Sequence, residues 1–194
     1  LQYHCVRASH ADCGAGTAVR ESLATGRPFS RVFCTNGLGE GWMDPSGYIW
    51  FNTLFRGRLL AAGSYCGDRG AHLPSLHQWQ QLAIHLGAHY GDNNGNGVFD
   101  EEDTYDATGF MPNARHATEE DVLPGMRTYT YWTSTAAPSR PNIRNTDVAR
   151  QWIFYADDGV IGDVSAVPPE TRAARCVLRV SETTLQPQAY SPRQ

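Results

Sequence analysis

A chain of 194 residues, 41% of them apolar, is long enough for one domain with a real core, or one domain with an extension. Its net charge of −4 argues against a nucleic-acid partner, which usually needs a basic face, and equally against a polybasic contact with a lipid surface. No run approaches the roughly 20 apolar residues of a membrane helix, and no signal pattern opens at Leu1, which reads as the start of a mature chain or of an excised fragment.

The first predicted element is a short helix from Gly16 to Gly26, with Val19 and Leu23 on one face. Arg31 to Cys34 reads as a strand. The glycines of Asn36 to Gly41 lack the Lys-Ser/Thr that a phosphate cradle needs. Asp44-Pro45-Ser46-Gly47 is a turn, and Tyr48 to Phe55 is strand-like. Ser75 to Leu86 is the clearest helix, because Leu76, Trp79, Leu82, Ala83 and Leu86 recur at three- and four-residue spacing behind a Ser75 N-cap. His85 and His89 have zinc-helix spacing, but they lack the Glu of HExxH, and Gly87 interrupts them. His116 to Val122 is a candidate short helix and Tyr129 to Thr135 a strand. Ala136 to Asp147 reads as a long irregular loop. Gln151 to Tyr155 and Ala174 to Val180 are strands, the first turned back by Asp157-Asp158-Gly159. Trp79, Trp132 and Trp152 lie in periodic apolar elements and read as core.

Asp92-Asn93-Asn94-Gly95-Asn96-Gly97-Val98-Phe99-Asp100-Glu101-Glu102-Asp103 fits a twelve-residue calcium loop of the dockerin kind. Asp92, Asn94, Asn96, Asp100 and Asp103 supply side-chain oxygens, Val98 its backbone carbonyl, and Gly97 the sharp turn. Three carboxylates repel one another when the loop is empty, so a structural calcium ion is the expected cofactor.

Five cysteines, none in a CxxC pair, argue against zinc ribbons and thioredoxin chemistry, and an odd number allows at most two internal bridges. Together with 19 Gly and 11 Pro they point outside the cell. Proximity favours Cys5–Cys13 among the three N-terminal cysteines.

The stretch from Ala62 through Cys66 and Gly70 to Leu73-Pro74-Ser75-Leu76 resembles the first helix of C-type-lectin-like domains. Ala174-Arg175-Cys176-Val177-Leu178 resembles their last core strand. Tyr131-Trp132-Thr133-Ser134 and Gln151-Trp152-Ile153-Phe154-Tyr155 are similar to a bacterial branch that includes the C-terminal domain of the Legionella collagen-like adhesin and the distal domains of invasin and intimin. The resemblance covers residues 59–181. It implies an α+β, C-type-lectin-like fold behind an N-terminal extension (1–58), with a tail (182–194) after it. It also implies a Cys66–Cys176 disulfide and adhesion to a glycan or protein on a cell surface, within a longer adhesin or pilus. The recognition surface is then expected on the loop carrying Arg140, Asn142, Arg144, Asn145 and Asp147, beside Tyr129 and Tyr131. Sugar-binding animal lectins hold Glu-Pro-Asn in this region, where the chain has Arg140-Pro141-Asn142. Arginine has no acceptor for a metal, so a calcium effect on binding acts indirectly.

An enzyme is the rival class. Ser134, His116 and Asp147 name a triad only on paper, since no G-x-S-x-G elbow is present. Sulfatase-activating oxidases share a distant version of the fold but use a pair of late cysteines, where this chain has Cys176 alone. A pilus-tip or structural subunit that binds other protein chains is the remaining alternative.

Millimolar calcium is expected to raise the melting temperature, by about 2.7 kcal/mol of stabilisation at a hundredfold excess over Kd. Asp92→Ala is expected to remove most of that gain. Identical melting curves in EDTA and in calcium would show that residues 92–103 are only a turn.

Overall fold

The computed structural model describes residues 13–21, 26–91, 107–108, 123, 125–126, 129–141, 144 and 147–179. Strands β1 (Cys13–Glu21), β2 (Pro28–Cys34), β3 (Gly39–Met43) and β4 (Tyr48–Phe51) form an antiparallel meander. Strand β12 (Val177–Arg179) completes this sheet against β4, from the far end of the chain. The second sheet has the order β10 (Ile161–Ser165), β9 (Asp147–Tyr155), β8 (Thr130–Pro141), β11 (Arg172–Ala174), β5 (Phe55–Gly57). Helices α1 (Leu59–Gly67) and α2 (Leu76–His85) and the short pair β6 (His89–Tyr90) and β7 (Ala107–Thr108) complete the described elements.

This corrects the expected α+β, C-type-lectin-like architecture: the fold is β-rich, with two five-stranded sheets and two helices. Two misread segments account for much of the difference. Residues 13–21 form β1 rather than a helix, because they pair antiparallel with β2, and β-branched Thr17 and Val19 suit extended backbone. Its register sets Cys13 directly opposite Cys34, and these two are bridged, so the Cys5–Cys13 pairing is also corrected. The second segment lies within β8.

Helix α2 forms as its sequence dictates. Ser75 accepts from the Gln78 N–H at 3.1 Å while Gln78 Oε1 accepts from the Ser75 N–H at 2.9 Å, a reciprocal capping box. Gly87, at a φ of 99°, supplies the left-handed residue just past the helix end.

The apolar runs Ile49-Trp50-Phe51 and Trp152-Ile153-Phe154 do not alternate with polar residues because both of their faces are covered. Trp50, Trp152 and Phe154 join Trp79 and Leu82 of α2 on one side. Ile49, Phe51 and Ile153 join Ala62 and Cys66 of α1 on the other. Trp79 is the hub of the first cluster. It stacks on Phe154 with centroids 4.8 Å apart, and it packs 4.7 Å from Trp50 and 4.9 Å from Tyr131, so one side chain touches both sheets.

The sheets exchange strands at a single place. β4 leaves the first sheet and becomes β5 in the second, while β11 leaves the second and becomes β12 in the first. The two chains run antiparallel through the crossing, paired as β5–β11 on one side and β4–β12 on the other. Arg175, 1% exposed, lies between β11 and β12. Its Nη1 donates to the carbonyls of Asn52 (2.7 Å) and Phe51 (3.4 Å), at the point where β4 departs. Its Nε donates to the Tyr131 hydroxyl at 3.1 Å. Burial pushes that phenol above its ordinary pKa, the nearby guanidinium notwithstanding, so it stays a neutral acceptor. The next residue, Cys176, is bridged to Cys66 of α1 across 110 positions. In the chain-entropy account, closing a loop of that order is worth about 4.7 kcal/mol.

Arg175→Met keeps the apolar stem but strands the Asn52 carbonyl and the Tyr131 hydroxyl. It is expected to destabilise the fold by about 3 kcal/mol, read as a lower urea midpoint at unchanged m-value. An unchanged midpoint would show that the junction holds without the guanidinium.

Candidate functional site

β8 and β9 outrun their neighbours. β11 meets β8 only at Ala173 opposite Tyr131. The next part of β8 is tied to the loop before α2: Ser134 N–H donates to the Pro74 carbonyl at 2.8 Å, and Thr135 Oγ1 accepts from the Leu76 N–H at 3.0 Å. On the other flank, the β9–β10 ladder ends at Arg150 opposite Ser165. Ala137 pairs with Arg150 at that edge, and the Ala149 carbonyl still accepts from the Ala166 N–H at 2.8 Å. Past these contacts, among the described residues, Arg140 pairs with Val148 and Pro141 with Asp147. The result is a two-stranded arm that projects about 7 Å past its last neighbour at ~3.4 Å per residue. The expected irregular loop over Ala136 to Asp147 is thereby corrected: residues 136–141 and 147 belong to strands. The ladder overrides the proline-rich composition because the register shifts between Ala137 and Arg140, and that irregularity accommodates Pro138.

One face of the arm continues the core. Directly paired residues share a face, and alternate residues along β9 return to it. This places Trp152 and Asp163, then Arg150 and Ala137, then Val148 and Arg140 in sequence from buried to exposed. Asp163 anchors the series. Arg150 forms an ion pair through Nε with Asp163 Oδ2, and its Nη2 donates to the Asp163 carbonyl at 2.9 Å. Arg140 Nη2 stands 3.4 Å from the other carboxylate oxygen, a long contact, and the Arg140 side chain is 65% exposed against 13% for Asp163. One carboxylate thus orients two guanidinium groups, the inner one engaged twice and the outer one facing solvent.

Of the residues expected at the recognition surface, Arg140, Arg144 and Asp147 are exposed on the arm. Asn142 and Asn145 lie outside the described residues, as do the calcium-loop residues Asp92, Asn94, Asn96, Val98, Asp100 and Asp103. Tyr131 is withdrawn from the set: it is fully buried, with its ring against Trp79 and its hydroxyl on Arg175. Tyr129 is half-buried at the opposite end of β8 from Arg140, edge-on to Tyr131 and under the Arg56 guanidinium at 5.4 Å. Sequence reading missed Arg150 and Asp163. The signal was present: a hairpin turn at Asp157 to Gly159 sets the β9–β10 register, and that register brings Asp163 beside the strand carrying Arg150.

A second polar cluster joins α2 to the β3–β4 turn. Asp44 Oδ1 accepts from the N–H groups of Ser46 (2.8 Å) and Tyr48 (3.1 Å), and Oδ2 accepts from Trp50 Nε1 at 2.9 Å. Ser46 Oγ lies 2.8 Å from His85 Nε2. This resembles a nucleophile–base pair in distance alone. The Asp44 oxygens are committed to holding the turn, and the Ser46 and Gly47 N–H groups are bonded to Asp44, so the turn offers no oxyanion donor of its own. The contact serves as a tie between helix and turn.

No family model, curated protein or solved structure matches the chain. The functional reading therefore rests on the geometry above and on the residues themselves.

Burial lowers the pKa of His85 from the ordinary 6.5, with Asp44 opposing and Arg27 adding to the shift. The unfolded chain takes up this proton near pH 6.5 and the folded chain resists it. The contribution of His85 to stability is therefore complete above that pH and is lost as pH falls toward the lowered folded value. His85→Gln, which keeps a side-chain partner for Ser46, is expected to lose less stability than the parent between pH 7 and pH 5. Parallel pH–stability curves would contradict this.

Proposed function

We propose that this chain is an extracellular recognition module, which binds a glycan or protein ligand on a cell surface or a neighbouring chain through the β8–β9 arm. The observation that carries the reading is the arm itself: a two-stranded extension, continuous with a core strand pair, that presents Arg140 to solvent from a carboxylate-anchored base. Binding residues concentrate on projections held by a rigid scaffold, and arginine is enriched at protein interfaces. The two disulfides support an oxidising compartment such as the cell exterior. Membership in a longer adhesin or in a pilus fits the same arm, since either would present it to a partner.

The test is surface binding of labelled protein to bacterial and host cells and to a glycan array. Arg140→Ala with Arg144→Ala is expected to reduce binding at least tenfold while the melting temperature holds within ~2 °C, as exposed substitutions do. Full retention of binding by a correctly folded double variant would move the site off the arm.

A further inference from the structure

We infer that the ligand of the arm is an acidic segment of a protein, bound through its carboxylates by Arg140 and its neighbours. This rests on the arm being the binding site and goes on to name what it binds. Between Ala136 and Gln151 the sequence carries three arginines and a single aspartate, in a chain whose net charge is −4. With Asp163 at its base counted, the arm carries three arginines against two aspartates, a small positive excess on an acidic molecule, and such an excess draws anionic partners from solution.

The internal contact with Asp163 shows the chemistry at work. Arg150 already satisfies one oxygen of that carboxylate and reaches its backbone carbonyl as well. Arg140 is left with the long 3.4 Å contact and an exposed side chain. A guanidinium has five donors in a planar fork suited to carboxylates. An incoming carboxylate can thus be taken by Arg140 without dismantling the Arg150–Asp163 pair beneath it.

Three features select protein over carbohydrate. No Phe, Tyr or Trp occurs from Ala136 to Gln151, so the arm offers no ring on which a sugar could stack. Sugar hydroxyls need acceptors as well as donors, yet Asp163 is already engaged by guanidinium groups, and exposed Arg140 and Arg144 outnumber the exposed carboxylate of Asp147. Half-buried Val148 pairs directly with Arg140 and shares its face, and Pro138 and Pro141 are exposed along the same strand as Arg140. Apolar contact flanking arginine is the composition of a protein interface. The mode is side-chain recognition rather than strand addition, because Pro138 and Pro141 lack N–H groups along the arm's β8.

The experiment uses the full chain with its disulfides intact, titrated with a fluorescent hexaglutamate peptide, with hexaglutamine, and with polygalacturonate as a carboxylated polysaccharide. Hexaglutamate is expected to bind, hexaglutamine not. Arg140→Gln is expected to weaken the hexaglutamate complex about tenfold, the loss of one charge-assisted hydrogen bond. The exposed control Arg58→Gln should leave it unchanged, and raising the salt should weaken binding to the parent. Polygalacturonate binding that depends on Arg140, with no hexaglutamate binding, would overturn the protein assignment and leave the arm as the site. Hexaglutamate binding insensitive to Arg140→Gln would overturn the inference at this site, as would failure of both anionic probes. The arm itself stands or falls separately, on the cell-binding result for the double variant.

Discussion

Arg175 sits where two strand pairs leave one sheet and enter the other. A crossing of this kind breaks the hydrogen-bond ladder on both chains at once, leaving backbone carbonyls inside the protein without their usual partners. The guanidinium donates to two such carbonyls, those of Phe51 and Asn52, and also to the Tyr131 hydroxyl. Its own cost of burial is offset because it takes up acceptors that would otherwise be orphaned. Cys176 then fixes the same point covalently to α1. Tyr131 is drawn into this junction and in turn packs on Trp79, so the sheet crossing, the aromatic hub and the start of β8 are set together.

The arm inherits its position from that arrangement. Its strands pass on either side of the hub, through Tyr131 and Phe154, before they project. An extension of only two strands would be marginal alone. Here it grows out of a buried five-stranded sheet, and the Asp163–Arg150 pair stiffens its root. Arg140 is therefore held on a rigid base although its own side chain faces water.

What the sequence revealed depended on whether the decisive contacts were local. The α2 boundaries were legible because Ser75, Gln78 and Gly87 act within a few residues of one another. So were the turns at Asp44 to Gly47 and Asp157 to Gly159, where short-range hydrogen bonds decide the shape. Tyr48 to Phe55 was legible as extended but not as two strands in different sheets, because the break after Phe51 is imposed by Arg175, more than a hundred positions away. Ala174 to Val180 failed as a single strand for the same reason. The helix expected from Gly16 to Gly26 rested on two apolar residues, and pairing with β2 outweighed it. In the same way, Cys13 met Cys34 through strand register, which no spacing rule encodes. At the arm, proline and arginine composition suggested a loop, and long-range ladder bonds made it a strand. Arg140, Arg144 and Asp147 were nonetheless readable as exposed, whereas Tyr131 was misplaced because its burial depends on partners from three other elements.

The span of the Cys66–Cys176 bridge has a bearing on how the molecule withstands damage. It encloses α2, β6 to β11 and the whole arm within one covalent ring. A protease that cuts once inside that ring converts the chain into two polypeptides still joined through sulfur, one carrying β4 and the other carrying β12. Such a nicked form would separate into fragments only on reduction. A chain built this way can lose continuity in an exposed segment without releasing either piece.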